Sequence, residues 1–234
     1  MNTPMKIWDK ILPDQRANNR HFFGQSFGQS YYRALYDLVL AASGIEPEPF
    51  KLEIPASFTI AEMGSNPIQL RLLDMLVRLT GAQRVLEIGS FIGLSAMTMA
   101  RAGAIVITVE KGKEFAAICE RNVAANGLAD RVNVIQADAT GLFREAVTHP
   151  YDLAFIDGDK EHYDDIFNIV DPLVRPGGMI IIDDVLFHGD VLNEQPTTAK
   201  GAGVRRLLRL IRGREDRCRL LLPVCNGLLI LVKA

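Results

Sequence analysis

Cysteine is scarce in this 234-residue sequence: Cys119, Cys218 and Cys225 are the whole supply, and no two stand in a C-x-x-C pair. An odd, unspaced set argues against both a disulfide framework and a cysteine zinc site. No apolar run reaches the roughly 18 residues that a membrane-spanning helix needs. No cationic-then-apolar leader opens the chain, so it reads as a reduced, soluble, cytoplasmic protein with no membrane partner. Charge of one sign is missing too. A net charge of -2 and a pI near 6.1 provide no field for a polyanion, and a nucleic-acid partner is not expected. Arg205, Arg206, Arg209, Arg212 and Arg214 recur at near-helical spacing and read as one solvated helix face. Internal repeats and low-complexity stretches are absent.

What is present is an ordinary globular composition, 48% hydrophobic and 23% charged, at a length that suits one large α/β domain with an addition. Residues 1–62 form that addition, a helical N-terminal extension or lid, and 63–234 the main domain. The extension is rich in aromatics and amides, "NNRHFFGQSFGQSYYRALYDLVLAASG", with a helix in "YYRALYDLVLAAS" stopped by Gly44. "IEPEPFKLEIP" has three prolines and cannot be a regular element. "NPIQLRLLDMLVRLTG" is an amphipathic helix with Pro67 in its first turn and Gly81 at its end.

From residue 84 onward strands and helices alternate. "RVLEIGS", "AIVITVE", "RVNVIQAD", "YDLAFIDG" and "MIIIDDV" read as strands, separated by helices in "GLSAMTMARAG", "GKEFAAICERNVAANGL", "TGLFREAV" and "HYDDIFNIVDPLV". "RPGG" ends the last of these helices. A helix in "GAGVRRLLRLIRG" and two strands about Asn226-Gly227 close the chain. Continuous apolar strands between helices imply a parallel sheet covered on both faces. The fold class is therefore α/β, a doubly wound Rossmann-like sheet, mostly parallel, with one antiparallel strand at the C-terminal hairpin.

Such sheets hold their ligands beyond the carboxyl ends of the strands. Here those ends carry "EIGSFIG", Glu110, "QADA", "IDGDK" and "IDDV", and all five bear acids. Gly89 and Gly93 punctuate the first strand–helix join, where glycine permits a tight turn and close backbone approach. The loop lacks the third spaced glycine of a dinucleotide fingerprint. Glu87 beside it would repel a pyrophosphate and attract an ammonium or sulfonium group, which favours S-adenosylmethionine over NAD. A purely structural turn is the competing reading. Glu110 ends the second strand, where an acid can accept from two ribose hydroxyls. Asp138 ends the third, where a carboxylate could accept from an adenine amine.

These residues resemble the class I S-adenosylmethionine-dependent methyltransferases, and among them the cation-dependent O-methyltransferases of catechol and caffeoyl-CoA type. The resemblance runs from about Met63 to the C-terminus. It rests on "VLEIGSFIGLSAMTMA", "FIDGDKEHY", "LVRPGGMIIIDDVLFHG" and "LLPVCNGLLILVK". It implies cofactor contacts from Met63, Ser65, Glu87, Gly89, Ser95, Glu110, Asp138, Ala139 and Asp157. It implies metal ligands at Asp157, Asp183 and Asp184, a catalytic role for Lys160 with Asp157, and Tyr163 near the site. Two departures are visible: Asp184 stands where the family usually has asparagine, and the first sixty residues do not follow the caffeoyl-CoA pattern.

The implied chemistry suits those residue types. Methyl transfer from a sulfonium is an in-line displacement, so alignment of an oxygen nucleophile is the main task. An all-oxygen ligand set matches magnesium, and also manganese or calcium, rather than zinc. A lysine beside a bound cation would lose pKa and become a general base, whereas the plain alternative pairs Lys160 with Asp159 or Asp164. The reading is an O-methyltransferase acting on a small vicinal dihydroxy aromatic, a homodimer by resemblance. Its competitors are a metal-independent small-molecule methyltransferase, a tRNA hydroxyuridine O-methyltransferase and a non-catalytic cofactor-binding protein. Phe22, Phe23, Phe27, Tyr31, Tyr32 and Tyr36 read as core or dimer contacts or as a substrate lid. His21, His162 and His188 read as bystanders, although His188 follows the "DDVL" strand closely enough to touch substrate.

Overall fold

A computed structural model describes residues 37–45, 49–55, 65–141 and 150–234. By internal contacts the chain divides into Met1–Glu46 and Pro47–Ala234. In the first unit residues 37–42 are helical and the turn closes at Gly44 with φ +57°, at the stop read from the sequence. The six aromatics from Phe22 to Tyr36, His21, Met63 and most of "TGLFREAV" lie outside the described residues.

The second unit opens with residues 49–55, which have no regular structure but are tied down by amides. Asn122 accepts from Glu53 N and donates to the Glu53 and Ile92 carbonyls, and Asn126 exchanges bonds with Lys51 in the same way. This stretch lies ahead of the boundary at residue 63 expected from the sequence, yet by contacts it joins the larger unit.

Helix α1, Pro67–Thr80, starts where Asn66 accepts from Ile68 N and ends at Gly81 in the left-handed region. Then follow β1 (Arg84–Ile88), α2 (Leu94–Arg101), β2 (Ile105–Glu110), α3 (Lys113–Ala125) and β3 (Val132–Gln136). After them come β4 (Tyr151–Ile156), α4 (Tyr163–Val170), β5 (Val174–Ile182), α5 (Ala199–Arg212), β6 (Arg217–Leu222) and β7 (Leu228–Lys233). The seven-stranded sheet has the order β3-β2-β1-β4-β5-β7-β6, and β7 alone runs antiparallel to its neighbours.

The side-chain period of two explains why the strands are apolar throughout. Leu86, Ile88, Ala154, Ile156, Ile180 and Ile182 enter one buried cluster, with Phe167, Val204 and Leu207 of α4 and α5. The alternate residues Val85, Leu153, Phe155 and Ile181 enter another, with Leu73, Met97 and Val123 of α1, α2 and α3. The central strands β1, β4 and β5 are thus covered on both sides, as a doubly wound sheet requires.

One boundary differs from the sequence reading. The helix expected through Val174 stops at Val170, passes through a 3₁₀ turn at Asp171–Leu173, and "RPGG" already belongs to β5. Pro172 cannot supply the helical N–H, and Lys233 Nζ gathers the freed Asp171 and Val174 carbonyls at 2.8 Å. Among the described residues no helix is long and apolar enough to cross a membrane.

Candidate active site

The parallel strands end at one level, and the sheet's hydrogen bonds continue one residue past them. Gly89 N donates to Val109 O at 2.8 Å, Asp157 N to Ile88 O at 2.8 Å and Asp183 N to Ile156 O at 2.9 Å. Three of the sequence-derived site positions are therefore fixed by the ladder itself. Gly89 has φ +92°, and a Cβ there would run into the Asp157 carbonyl. Only glycine lets the β1 and β4 ends approach this closely.

Above the ends lies a cavity of about 840 Å³. Ser65, Gly89, Ser95, Glu110, Asp138, Ala139, Asp157, Lys160, Asp183 and Asp184, all marked out in the sequence, are on its walls. Glu110 accepts from Phe91 N at 2.9 Å through Oε2 and from Gly112 N at 2.7 Å through Oε1. Each oxygen keeps a second lone pair for a ligand hydroxyl. Asp138 is more committed: Oδ1 accepts from Thr140 N and Oγ1, and Oδ2 faces Lys111 Nζ at 2.9 Å. Those bonds hold its carboxyl at a pKa of about 2.

Glu87 is not on the wall. It is fully buried beneath the glycine loop, where Thr108 Oγ1 donates to its Oε2 at 2.6 Å. Tyr163 is also fully buried; its ring lies 5.6 Å from Lys160 Nζ.

At the middle of the cavity, Asp157, Asp183 and Asp184 each offer a carboxylate oxygen, and these oxygens lie within 4.8 Å of one another. Lys160 Nζ stands 3.1 Å from Asp157 Oδ1 and 2.9 Å from Asp184 Oδ2. The alternative partners are elsewhere: Asp159 is 3.9 Å from Lys111, and Asp164 pairs with Arg206 at 2.8 Å. Burial, then the charges of Asp183 and Asp184, push the Asp157 carboxyl up to about 8 against the pull of Lys160. Asp183 is raised by burial and by Asp184. For Lys160, burial opposes the charge, but Tyr163, Asp157 and Asp184 outweigh it and leave its pKa above the ordinary value. Here the ammonium itself neutralises the acids, whereas the lowering expected from the sequence concerns a lysine beside a bound cation.

Three hard oxygen donors drawn together around a single ammonium fit a divalent cation of the magnesium, manganese or calcium kind. Among the described residues no cysteine or histidine joins the group, so the donor set does not suit zinc.

Two groups of wall residues were not singled out as site residues in the sequence. Gln69 of α1 is only 3% exposed, bears on Asp183 closely enough to lower its pKa, and leaves Nε2 without a partner in hydrogen-bond geometry. Its signal was an amide inside the apolar stripe Leu70, Leu73, Val77. Phe187, His188, Lys200, Cys225 and Asn226 form the far wall. His188, read as a bystander, lies on that wall.

The sequence matches the O-methyltransferase family over residues 51–234. It is 33% identical over 164 residues to the catechol O-methyltransferase of Niastella koreensis, covering 65% of this chain and 74% of that one. It is 32% identical over 162 residues to the catechol O-methyltransferase of Mycobacterium tuberculosis, covering 68% and 70%. Among solved structures, the O-methyltransferase from Bacillus cereus in complex with S-adenosylhomocysteine superposes with a TM-score of 0.70 at 26% identity over 97% of each chain. TomG from Streptomyces achromogenes, in complex with S-adenosylmethionine, gives 0.69 at 28% identity over 74% and 82%.

Proposed function

Because this chain belongs to the O-methyltransferase family and is an S-adenosylmethionine-dependent O-methyltransferase, we propose that its acceptor is a small vicinal dihydroxy aromatic. We further propose that Asp157, Asp183 and Asp184 hold a divalent cation beside it. The carrying observation is the convergence of those three carboxylates at the tips of β4 and β5, in mid-cavity, with Lys160 in contact.

In this reading the Gly89 loop, Ser65 and Ser95 seat the methyl donor, and Glu110 accepts from its ribose hydroxyls. Ala139 and Asp138 flank the adenine. A cation bound at the carboxylates would orient two adjacent hydroxyls and lower their pKa together with that of Lys160. Lys160 Nζ, its own proton released to solvent so that the amine is neutral, would take the proton from the acceptor hydroxyl, and the walls would hold the oxygen in line with the sulfonium methyl. Alignment of this kind reaches effective molarities of about 10⁵ M or more.

The test is methyl transfer from S-adenosylmethionine to catechol, after EDTA treatment and after magnesium is restored. Loss of turnover with the chelator and recovery with the metal is the expected result. Undiminished turnover in EDTA would favour the metal-independent reading.

A further inference from the structure

Two residues of the cavity wall carry a buried polar atom with no hydrogen-bond partner among the described residues, Gln69 at Nε2 and Ser90 at Oγ. The serine hydroxyl lies beside Cys119, whose sulfur is a weak partner. The amide bears instead on an acid, Asp183.

Gln69 stands in the first turn of α1, on the buried side with Leu70, Leu73 and Val77. A leucine or methionine there would bury similar surface without an orphaned donor. The amide therefore costs stability unless it acts on something.

The three carboxylates in mid-cavity are not held alike. Lys160 Nζ meets Asp157 Oδ1 at 3.1 Å and Asp184 Oδ2 at 2.9 Å, and among the described residues no ion pair reaches Asp183. The donors that bear on Asp183 are neutral, the Asp184 backbone N–H and the Gln69 amide. An ammonium occupies places that a cation would use. An amide carries no charge, so it can orient a carboxylate and leave that charge for the ion.

We propose that Gln69 is a positioning residue for the cation site: Nε2 completes its hydrogen bond to Asp183 on cation binding and fixes that carboxylate as the ion's anchor. This rests on the reading of the three carboxylates as a cation site. Asp183 suits the part because its backbone belongs to the sheet, with its N donating to Ile156 O at 2.9 Å, and because only 6% of the residue is exposed.

The experiment titrates magnesium by calorimetry into the full chain bound to S-adenosylhomocysteine, for the wild type and Gln69→Met, and reads Tm in magnesium and in EDTA. We expect magnesium to bind Gln69→Met roughly ten- to hundredfold more weakly. In EDTA the variant should melt at or above the wild-type temperature, because the orphaned donor is gone, and magnesium should raise its Tm less. A merely structural amide predicts the reverse, a lower Tm in EDTA with magnesium affinity intact, and that result overturns the inference. Equal weakening of magnesium and S-adenosylhomocysteine overturns it too, since the damage is then general. Should Gln69→Met not fold, Gln69→Asn, whose amide is one methylene short of Asp183, carries the same expectation; failure of both to fold makes the amide structural and overturns the proposal. A wild type that binds no magnesium sinks the cation reading itself, whereas a binding wild type with an unaffected Gln69→Met sinks this inference alone.

Discussion

Thr108 and Glu87 face each other in register across β2 and β1, and the threonine hydroxyl donates to the carboxyl at 2.6 Å in a place that water does not reach. Burial, helped by the charge of Glu110 and opposed by Ser95 and Thr108, pushes Glu87 up from 4.5 to about 7. Between those two values the folded chain holds a proton that the unfolded chain releases. Stability therefore falls as pH rises through that window and is level above it, by up to about 3 kcal/mol. Urea unfolding of the cofactor-free protein from pH 5 to 8 should show this decline. Glu87→Gln, which carries no charge, should remove that part of the slope; parallel curves for the two proteins would mean that Glu87 is ionised in the fold.

Lys160 joins the acids of two loops, so its loss should be felt twice. Lys160→Met leaves partly buried carboxylates facing one another, and removal of one partner from a buried ion pair costs about 3–5 kcal/mol. We expect a lower Tm in EDTA and a larger recovery on adding magnesium than the wild type shows. Loss of a general base lowers kcat by about 10²–10⁴-fold. A Lys160→Met enzyme with wild-type kcat would remove Lys160 from proton transfer.

Asp184 has φ +56°, in the left-handed region that asparagine and aspartate tolerate better than other residues with a Cβ. Asp184→Asn should keep both fold and activity. Asp184→Val, β-branched in the same conformation, should lose about 1–3 kcal/mol and most of its turnover. Denaturation midpoints with parallel kinetics distinguish these outcomes, and an inactive but stable Asp184→Asn would show that the third carboxylate charge is required.

Gly89→Ala combines a positive φ with a collision against backbone, which has no side chain to swing aside. The expected cost is about 2 kcal/mol or more. Binding of S-adenosylmethionine, read by calorimetry, should weaken at the same time because the β1 and β4 ends must separate.

Much of this was legible in the chain. The alternation of short apolar runs with amphipathic helices implied a two-sided parallel sheet, and Asn226-Gly227 implied the reversed β7. Asp157, Lys160, Asp183 and Asp184 could be placed together because they follow strands that such a sheet brings side by side. What could not be read depends on distances across the fold. Glu87 looked like a wall residue because it adjoins the glycine loop, but the strand pleat turns it beneath that loop. The partners of Lys160 could not be known until the β5 loop was in place. The early start of β5 was hidden because "RPGG" carries a turn signature, and those residues do form an irregularity inside the strand, with Gly177 at φ +72° between the pairings of Val174 with Tyr151 and of Met179 with Leu153.

The ladder bonds of Gly89, Asp157 and Asp183 make the floor of the cleft part of the sheet's own framework. In deuterated solvent those three amides should exchange as slowly as amides at the centre of β1 or β4, rather than at loop rates. Entry and departure of ligands then fall to the rim, around the first turn of α5 and the β6–β7 connection. Differences in speed or selectivity among engineered forms should trace to that rim more readily than to the rigid base.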